Sequence, residues 1–345
     1  MKSEMVSYDK YLEYGDMFRM ADEFVIPISV TIELSTKCNL KCEHCYIPNH
    51  GNSELSFDAI DNIFRDLREM GTYELVLTGG EVFARNDCIE IIELARNYGF
   101  HIIIFSNATL ISDNIAERLE KLHIGLFSTT IFSMDEEIHD KNTGVKGSLK
   151  KALAGISLLK QHHIPVEIKT IVMQKNWHTL QGVNNFCREN EFHHIATPYV
   201  FARSDGDQEP LDYRLTFDQL VEIMPLIDKI VNFNPLVRTE DNYMCPSFYH
   251  SFGIEANGNV NACNSLFYSV GNIYESTIRE IWLSKKFQGL RKIKFKHLKS
   301  CKGCELSSYC IRCAGIAYGE TNSMIEKFDF ACQVALARFL VHSNK

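Results

Sequence analysis

Between Ile28 and Arg203, short apolar runs rich in β-branched residues alternate with segments whose apolar side chains recur at helical spacing. This alternation predicts repeated strand–helix units around a parallel sheet, because parallel strands are buried on both faces and need crossover helices. The predicted strands are Ser29–Leu34, Tyr73–Thr78, His101–Ser106, Gly125–Ser133, Val166–Met173 and Ile195–Phe201. Six such units fit either an open α/β barrel or a doubly wound sheet, and periodicity alone does not separate the two.

Helical patterns fill the intervals between these strands. In the first of them apolar residues share one face, Ser56 is placed to cap the amino end, and Gly71 is placed to end the helix. The predicted helices are Ser56–Met70, Cys88–Tyr98, Asp113–Leu122, Ser148–His162 and Leu180–Glu189. In either architecture, active-site residues are expected at the carboxyl ends of the strands.

The pattern changes after Arg203. A polar run with Gly and Pro, residues 204–210, has the composition of a linker. A helical pattern follows over Thr216–Phe233, with a kink expected at Pro225, and then comes a cysteine-rich segment with little periodicity. The chain ends in an amphipathic helical pattern over Phe328–Val341. We therefore divide the chain into an N-terminal extension (1–27), an α/β core (28–204), a linker with a bridging helix (205–240) and a smaller cysteine-rich domain (241–345).

Length and composition limit the classes to which the protein can belong. A chain of 345 residues is enough for about two domains with a large buried core. With 45% hydrophobic and 23% charged residues and a mean hydropathy of −0.14, the composition is that of a soluble globular protein. The net charge of −8, without any block of five basic residues, gives no support for nucleic-acid binding. No apolar run of about 18 residues and no signal-peptide pattern occur, so we expect no membrane partner and a cytoplasmic location.

Cysteine is the residue type that changes this picture. Twelve cysteines in a cytoplasmic chain are not expected to form a disulfide framework, because that compartment keeps thiols reduced. Metal or iron–sulfur binding is the leading interpretation. Cys88 and Cys187 stand alone in helical patterns, where a small buried thiol is expected. The other ten are Cys38, Cys42, Cys45, Cys245, Cys263, Cys301, Cys304, Cys310, Cys313 and Cys332.

Three cysteines directly follow the first predicted strand, with the spacing C-x₃-C-x₂-C from Cys38 to Cys45. A closed tetrahedral zinc site needs four ligands, and three thiolates leave one place open. His44 would have to curl back beside Cys42 and Cys45 to fill that place, which disfavours zinc. A four-iron cluster held by three thiolates instead leaves one iron without a protein ligand, and that iron can bind a substrate or a cofactor.

The C-x₃-C-x₂-C loop followed by the aromatic Tyr46, after the first strand of six βα units, resembles the radical S-adenosylmethionine (radical SAM) superfamily. The resemblance implies a partial (β/α)₆ barrel and a [4Fe–4S] cluster on Cys38, Cys42 and Cys45. It also implies S-adenosylmethionine chelated to the unique iron through its amino and carboxylate groups. One electron from the cluster then cleaves the sulfonium, yielding methionine and a 5′-deoxyadenosyl radical that abstracts a hydrogen atom.

Further motifs match the same family at the ends of later strands. A Gly-Gly-Glu run after the second strand is similar to the motif that holds the methionine amino group, since glycines admit close backbone approach and a carboxylate pairs with an ammonium. A Ser-Asn pair follows the third strand, and a Ser-x-Asp segment, whose serine is implied to lie by the ribose, follows the fourth. The cofactor-binding residues that the resemblance implies are Tyr46, Gly79, Gly80, Glu81, Ser106, Asn107, Ser133 and Asp135.

Seven cysteines lie in the last third of the chain, and two C-x₂-C pairs begin at Cys301 and Cys310. Two zinc ribbons are the general interpretation of such spacing, but seven ligands leave one site short. This part of the chain resembles the SPASM domain. The resemblance lies in Gly258, five residues before Cys263, in the later Val-Gly-Asn-Ile and Ile-Trp segments, and in the cysteine series. That domain holds auxiliary [4Fe–4S] clusters in many radical SAM enzymes that modify peptides.

The SPASM resemblance implies two interleaved sets of ligands, and hence three [4Fe–4S] clusters in all. The implied ligands are Cys245, Cys263 and Cys313 for the nearer auxiliary cluster and Cys301, Cys304, Cys310 and Cys332 for the farther one. The nearer cluster then has an open iron or an unusual fourth ligand, for which His250 is a candidate. Only Ile311 and Arg312 separate Cys310 from Cys313, where many relatives have three residues, and this departure bears on the assignment of Cys313.

Together these resemblances imply a maturase that forms a thioether or carbon–carbon crosslink in a ribosomally made peptide, with an open site on the nearer cluster placed to bind a substrate thiolate. One alternative is a formylglycine-generating sulfatase maturase, which the residues after Cys245 and Cys263 disfavour. Others are different radical chemistry on peptides or small molecules, and a noncatalytic zinc-binding protein. A zinc-binding protein would leave the Gly-Gly-Glu and Ser-x-Asp motifs without a role.

The implied partners are a precursor peptide and a flavodoxin- or ferredoxin-like electron donor. The stretch before the first strand is too short for a separate peptide-recognition domain, so leader-peptide binding is expected to use the barrel rim, the C-terminal domain or another protein. The sequence identifies no catalytic acid or base. Glu167, Lys169, Tyr199 and Asp205 lie in or near the last two strands and could face a substrate, but residues that line a barrel more often pack or pair.

Overall fold

The computed structural model describes residues 14–245 and 247–343, and within them a nine-stranded sheet forms the frame of the protein. Its strands are β1 (Ser29–Glu33), β2 (Glu74–Thr78), β3 (His101–Phe105), β4 (Leu126–Thr130), β5 (Val166–Ile171), β6 (His193–Thr197), β7 (Ser251–Ile254), β8 (Asn259–Cys263) and β9 (Leu266–Asn272). Their order across the sheet is β6-β5-β4-β3-β2-β1-β7-β8-β9. Neighbours from β6 to β7 are parallel, whereas β8 is antiparallel to both β7 and β9.

Helices connect the strands and complete the C-terminal part. They are α1 (Tyr14–Phe24), α2 (Phe57–Glu69), α3 (Cys88–Asn97), α4 (Asp113–Lys121), α5 (Glu136–Thr143), α6 (Ser148–Gln161), α7 (Leu180–Asn190), α8 (Phe217–Ile230), α9 (Ser247–His250), α10 (Ile278–Trp282), α11 (Lys285–Arg291), α12 (Ala314–Thr321) and α13 (Asp329–Ser343). The main apolar core contains residues of the sheet and of helices α2, α3, α4, α6, α7, α9, α10, α11 and α12. Across the described residues, no helix has the length and apolar character needed to cross a membrane.

The first six strands lie side by side in their order along the chain. In a doubly wound sheet the order reverses at a switch point, whereas here every crossover moves the chain in the same direction. The strand order therefore selects the open barrel of the two architectures, and it places the carboxyl ends of all six strands at one edge. The predicted partial (β/α)₆ barrel is confirmed.

The first connecting helix shows how local sequence sets these elements. The Ser56 hydroxyl accepts a hydrogen bond from the Ala59 N–H at 3.2 Å and caps α2, as predicted. The buried residues of its inner face are Ile60, Ile63, Phe64 and Leu67. Phe57, which periodicity places on the same face, is 40% exposed because it is the first residue of the helix and lies beyond the edge of the core.

Strand β6 begins at His193, two residues before its predicted start, and ends at Thr197. Two polar side chains are accommodated in the sheet because each has a partner on β5. The His193 Nδ1 atom lies 2.9 Å from a Glu167 carboxylate oxygen, and the His194 Nε2 atom lies 3.0 Å from the Thr170 hydroxyl. Apolar periodicity cannot detect the start of a strand whose first side chains are polar and hydrogen-bonded to the neighbouring strand.

The cysteine-rich segment, whose sequence shows little periodicity, contains three strands. Strand β7 pairs in parallel with β1, so that Ser29 lies opposite Ser251 and Ile32 opposite Ile254. Between β8 and β9 the register shifts twice, around Asn261. Such bulges interrupt the alternation of inward and outward side chains, which explains why periodicity misses this hairpin.

The last helix, α13, packs against the bridging helix α8. At their contact the Arg338 Nε atom donates to Asp228 at 2.8 Å, and both side chains are almost fully buried. The His342 Nε2 atom lies 3.1 Å from the second oxygen of the same carboxylate. This pairing ties the C-terminal cysteine region to the helix that follows the barrel.

Leu77→Ala should lower the free energy of unfolding by about 2–5 kcal/mol, because Leu77 lies in β2 with no exposed surface and its truncation leaves a cavity. Leu283→Ala removes the same atoms from a side chain that is 48% exposed, and should change that free energy by less than about 0.5 kcal/mol. Urea unfolding of both variants measures the difference. Equal losses would contradict the placement of β2 in the core.

Candidate active site

The cysteine loop between β1 and α2 is fixed by backbone contacts with α5. The Lys41 N–H donates to the Thr143 carbonyl at 2.8 Å, and the Glu43 N–H donates to the Asn142 carbonyl at 3.3 Å. Gly144, directly after α5, approaches the loop so closely that a Cβ there would lie 2.7 Å from the Lys41 carbonyl oxygen. The helix that follows β4 thus sets the path of the loop that follows β1.

The thiols of Cys38, Cys42 and Cys45 line one cavity. Burial raises the pKa of Cys38 to about 11, and burial together with the charges of Cys45 and Cys38 raises the pKa of Cys42 far above its usual range. Three thiolates in one buried place are therefore stable only beside a group of opposite charge. The positive core of an iron–sulfur cluster supplies that charge, so this donor set fits such a group.

Gly79 and Gly80 join the end of β2 to the cysteine loop. The Gly80 N–H donates to the Ser35 carbonyl at 2.8 Å, and the Glu81 N–H donates to the Lys37 carbonyl at 2.7 Å. A Cβ on Gly79 would lie 2.4 Å from the Ser35 oxygen, and one on Gly80 would lie 2.3 Å from the Lys37 oxygen. Close approach to the cysteine loop is therefore what requires glycine here, and both glycines also line the cavity.

The Glu81 carboxylate lies behind this turn, and its residue is only 1% exposed. It accepts hydrogen bonds from the Ser106 hydroxyl at 2.7 Å, the Asn107 N–H at 2.8 Å and the Phe83 N–H at 3.0 Å. Burial raises the pKa of Glu81, and these hydrogen bonds oppose that rise. Ser106 and Asn107 line the cavity, so Glu81 positions two cavity residues at the end of β3. The contact of Glu81 with the methionine ammonium group of the cofactor stays a prediction.

Tyr46 and the Ser-x-Asp segment occupy different places. Tyr46 lines the cavity, stacks on Phe267 with ring centroids 5.4 Å apart, and donates its hydroxyl to Glu33 at 3.1 Å. The Ser133 hydroxyl accepts from the Asp135 N–H at 2.9 Å, and Asp135 caps α5. Ser133 and Asp135 are not among the described residues that line the cavity. The implied place of Ser133 near the ribose, and the implied contact of Asp135 with the cofactor, stay predictions.

The cavity has a volume of about 360 Å³ and walls that are largely apolar. Strand ends of the barrel form one side, and the β8–β9 turn with Asn264 and Ser265 contributes to the other. Among the described residues that line it, Lys169 is the one Lys or Arg, and there is no Asp or Glu. The Lys169 ammonium lies 3.4 Å from the centroid of the Phe105 ring and 3.6 Å from a Glu167 oxygen. The aromatic lining residues are Tyr46, Phe105, Phe132, Tyr199, Phe201 and Phe267.

A second group of thiols lies behind the β8–β9 turn. Cys263 ends β8, Cys245 precedes α9, and Cys313 is the N-cap residue of α12. Burial, together with the charges of Cys245 and Cys313, raises the pKa of Cys263 to about 12. The structure thus brings together the three thiols that the sequence assigns to the nearer auxiliary cluster. His250, the candidate fourth ligand, ends α9.

A third group of thiols surrounds an opening of about 240 Å³ at the surface. Burial, opposed by the charge of Arg238 and supported by those of Cys332 and Cys301, raises the pKa of Cys310 to about 11. Cys304 and Cys332 are exposed. In the part of the chain that the structure describes, no three His, Cys, Asp or Glu side chains converge on a site for one metal ion. The four thiols that line the opening are Cys301, Cys304, Cys310 and Cys332.

The two cysteines outside these groups are buried in the main core, as predicted; they are Cys88 and Cys187. The structure also shows a site residue that sequence reasoning missed. Glu33 ends β1, accepts from Tyr46 and from the Ala256 N–H at 3.3 Å, and has its pKa raised to about 7 by burial. Its position at the carboxyl end of a strand is the signal that could have found it. Phe267 carries no such signal, because it lies in the aperiodic hairpin.

Comparison with known families agrees with this geometry. A family model of the radical SAM superfamily matches residues 32–187, and a model of the SPASM iron–sulfur cluster-binding domain matches residues 245–305. Together they cover more than half of the chain. The chain belongs to the radical SAM superfamily. It is a radical SAM enzyme with a SPASM domain, and its cofactors are iron–sulfur clusters and S-adenosylmethionine.

This radical SAM enzyme is similar over most of its length to several known proteins. It is 26% identical over 335 residues to an AdoMet-dependent heme synthase of Methanosarcina barkeri, with 87% of this chain and 95% of the relative covered. It is 26% identical over 311 residues to AlbA, the antilisterial bacteriocin subtilosin biosynthesis protein of Bacillus subtilis, covering 85% and 68%. Its fold resembles that of Streptococcus suis SuiB bound to precursor peptide SuiA, with a TM-score of 0.70 at 16% identity, covering 96% and 84%.

Glu81→Ala should leave the iron content near normal while weakening the binding of S-adenosylmethionine by roughly 1.5–3 kcal/mol, because Ser106 and Asn107 lose the charged acceptor that positions them. Anaerobic equilibrium dialysis with the radical SAM enzyme measures the affinity. Glu117→Ala, which removes a half-exposed carboxylate on α4, is the matched control and should bind S-adenosylmethionine as the wild type does. Equal affinity in the wild type and Glu81→Ala would refute the role.

Proposed function

We propose that this enzyme matures a ribosomally made peptide by joining two of its residues through a thioether or carbon–carbon bond. The observation that carries the proposal is the shared cavity, which the cysteine loop lines on one side and the turn after Cys263 lines on the other. A substrate residue in this cavity would lie between two groups of thiols. AlbA, a subtilosin biosynthesis protein, and SuiB, solved with its precursor peptide, support a peptide substrate.

In this proposal the ten grouped cysteines hold three [4Fe–4S] clusters. The first three thiols leave one iron free for S-adenosylmethionine, and the nearer auxiliary group, which also has three thiols, leaves one position free for a substrate thiolate. The proposed ligand sets are Cys38, Cys42 and Cys45; Cys245, Cys263 and Cys313; and Cys301, Cys304, Cys310 and Cys332. The proposed domains are the extension (1–27), the radical SAM core (28–204), the linker and bridging helix (205–240) and the SPASM domain (241–345).

The cavity residues have separate tasks in this proposal. When bound, the first cluster and S-adenosylmethionine supply a 5′-deoxyadenosyl radical. The Gly79–Gly80 turn offers backbone groups to the methionine moiety, and Ser106 with Asn107, held by Glu81, forms the adjoining wall. The largely apolar walls would reduce the access of water to a reactive species and so limit side reactions. The remaining proposed contacts with the cofactor are those of Tyr46, Ser133 and Asp135.

A thioether crosslink removes two hydrogens from the peptide. One leaves carbon as an atom and is taken up by the 5′-deoxyadenosyl radical. The other would leave the substrate thiol as a proton, and the surplus electron would pass to the nearer auxiliary cluster, which balances the one electron that a donor supplies for the cleavage of S-adenosylmethionine. We propose a flavodoxin- or ferredoxin-like electron donor, a cytoplasmic setting, and leader-peptide binding by the barrel rim, the SPASM domain or a separate protein.

A tetrapyrrole is the second candidate substrate, because the M. barkeri relative, 95% of which is covered, is a heme synthase. The electrostatics of the cavity favour the peptide. A tetrapyrrole that carries several carboxylates needs several cations, and Lys169 is the one Lys or Arg among the described residues that line the cavity. Parallel assays distinguish the two candidate substrates. One uses an iron-loaded coproporphyrin, and the other uses the product of a neighbouring short, Cys-rich open reading frame. Turnover of the porphyrin alone would overturn the peptide proposal.

Cys42→Ala should abolish reductive cleavage of S-adenosylmethionine, because it removes one of three thiolates that hold the first cluster. The assay is the formation of methionine and 5′-deoxyadenosine with dithionite as reductant. Cys88→Ala removes a buried thiol outside the three groups and serves as the control that should retain cleavage. Undiminished cleavage by Cys42→Ala would eliminate the proposed site.

Cys263→Ala should lose about four irons per chain, still form 5′-deoxyadenosine, and make no crosslinked peptide, because the thiols of the first group are untouched. Iron analysis, chromatography of the nucleoside and mass spectrometry of the coexpressed peptide give the three readouts. Full iron content, or normal peptide product, in this variant would show that the three-cluster maturation mechanism is wrong.

A further inference from the structure

A string of polar side chains runs inside the barrel, from the active-site cavity toward the opposite end of the strands. Lys169 of β5 lines the cavity, and Glu167 lies two residues earlier on the same face of that strand. His193 is the first residue of β6 and lies opposite Glu167 in the register of the sheet. This polar string therefore begins at the carboxyl ends of the strands, where the cavity lies, and ends at the amino end of β6.

Each member of the polar string contacts the next. The Lys169 ammonium lies 3.6 Å from one oxygen of the Glu167 carboxylate, and the His193 Nδ1 atom lies 2.9 Å from the other oxygen. The Ser128 hydroxyl, which also lines the cavity, donates to the first oxygen at 2.8 Å and so orients the carboxylate. A carboxylate held between an ammonium and an imidazole can accept a proton from the first group and give one to the second.

Exposure differs between the members of the polar string. The Glu167 side chain is 10% exposed, whereas the His193 side chain is 69% exposed. The Lys169 ammonium lies 3.4 Å from the centroid of the Phe105 ring, and both side chains line the cavity. Burial lowers the pKa of Lys169, and the Glu167 carboxylate opposes that shift. The polar string thus connects a basic group in the cavity wall to an imidazole that exchanges protons with solvent.

The histidines of the described cavity wall lie at the cysteine loop or contact it. His44 lies between two cysteines of the loop, and the His50 Nε2 atom lies 3.5 Å from a thiol of the loop. His139 belongs to α5, whose backbone fixes the path of the loop. Lys169 instead reaches the cavity from β5, which β2, β3 and β4 separate from β1 in the sheet. Among the described basic groups of the wall, Lys169 is therefore the one that a strand remote from β1 supplies.

We propose that Lys169, Glu167 and His193 carry to solvent the proton that crosslinking releases from the peptide. The inference rests on the proposed function. For a thioether, Lys169 takes the proton of the substrate thiol as it gives one of its own to Glu167. Glu167 passes a proton to His193 Nδ1, and the exposed ring releases one to water. The carbon-bound hydrogen leaves as an atom to the 5′-deoxyadenosyl radical, and the surplus electron passes to the nearer auxiliary cluster, so the formation of the C–S bond balances.

The first test changes the two members of the polar string inside the barrel. Lys169→Met keeps an unbranched side chain and Glu167→Gln keeps the shape of the carboxylate, but neither new side chain carries the proton. Because proton transfer by a positioned side chain accounts for roughly 10²–10⁴-fold in rate, we expect each change to slow crosslinking by about 10²-fold. Single turnovers of the anaerobic, iron-loaded enzyme yield crosslinked peptide and 5′-deoxyadenosine together. Equal losses of both products would show that these residues serve the cofactor, and would overturn the inference.

Variants of His193 cover the case in which a change inside the barrel impairs folding, because this side chain is exposed and is not among the described residues that line the cavity. His193→Asn keeps a hydrogen-bond donor for Glu167 but cannot pass a proton on, so crosslinking should slow. His193→Ala should slow it too, and added imidazole should restore the rate by occupying the place of the missing ring. His178→Ala removes an exposed histidine that contacts Trp177, and should crosslink as the wild type does, with or without imidazole.

The outcomes separate the inference from the proposed function. Unchanged crosslinking in Glu167→Gln and His193→Asn would overturn the inference and leave the proposed function standing. A slow His193→Ala variant that imidazole does not restore would show that His193 is only a structural partner of Glu167, and would also overturn the inference. A wild-type enzyme that forms 5′-deoxyadenosine without crosslinking its peptide would overturn the proposed function, and the inference with it.

Discussion

Strand β1 has a parallel neighbour on each side, β2 in the barrel and β7 in the SPASM domain, and backbone hydrogen bonding fixes the register of both. Ser29 lies opposite Glu74 on one side and Ser251 on the other, so the three strands end at one edge. The cysteine loop, the Gly-Gly turn and the turn between β7 and β8 all begin at that edge. Glu33, the last residue of β1, joins two of them by accepting hydrogen bonds from Tyr46 and Ala256.

Buried polar side chains then hold the pieces that the sheet brings together. Glu81 fixes the end of β3 against the end of β2, while Arg214 and the Asp228–Arg338 pair fix the C-terminal helices against the barrel. Each of these charged groups has an ion-pair or hydrogen-bond partner, because a buried charge without a partner would destabilise the fold by roughly 3–5 kcal/mol. The same pairings set the positions of thiols that lie far apart in the sequence. Structural stability and site geometry therefore depend on the same contacts.

The barrel and the first cysteine loop are predictable from sequence for clear reasons. Strands buried on both faces must be apolar, and ligands of one cluster on one loop must keep a short spacing. Strand order is a property of the whole chain, so periodicity leaves the barrel and the doubly wound sheet unresolved. The motif around Glu81 is visible, but where its carboxylate points depends on Ser106 and Asn107, brought near by folding. The hairpin is hidden by bulges, and the pairing of Glu167 with His193 depends on the register of β5 and β6.

Mössbauer spectroscopy of the ⁵⁷Fe-labelled enzyme, before and after addition of S-adenosylmethionine, tests most directly whether three thiol groups hold three clusters of which one binds the cofactor. We predict about twelve irons per chain in [4Fe–4S] form, with about one of them changing its isomer shift when S-adenosylmethionine is added. A spectrum that S-adenosylmethionine leaves unchanged, or iron confined to a single cluster per chain, would contradict this arrangement.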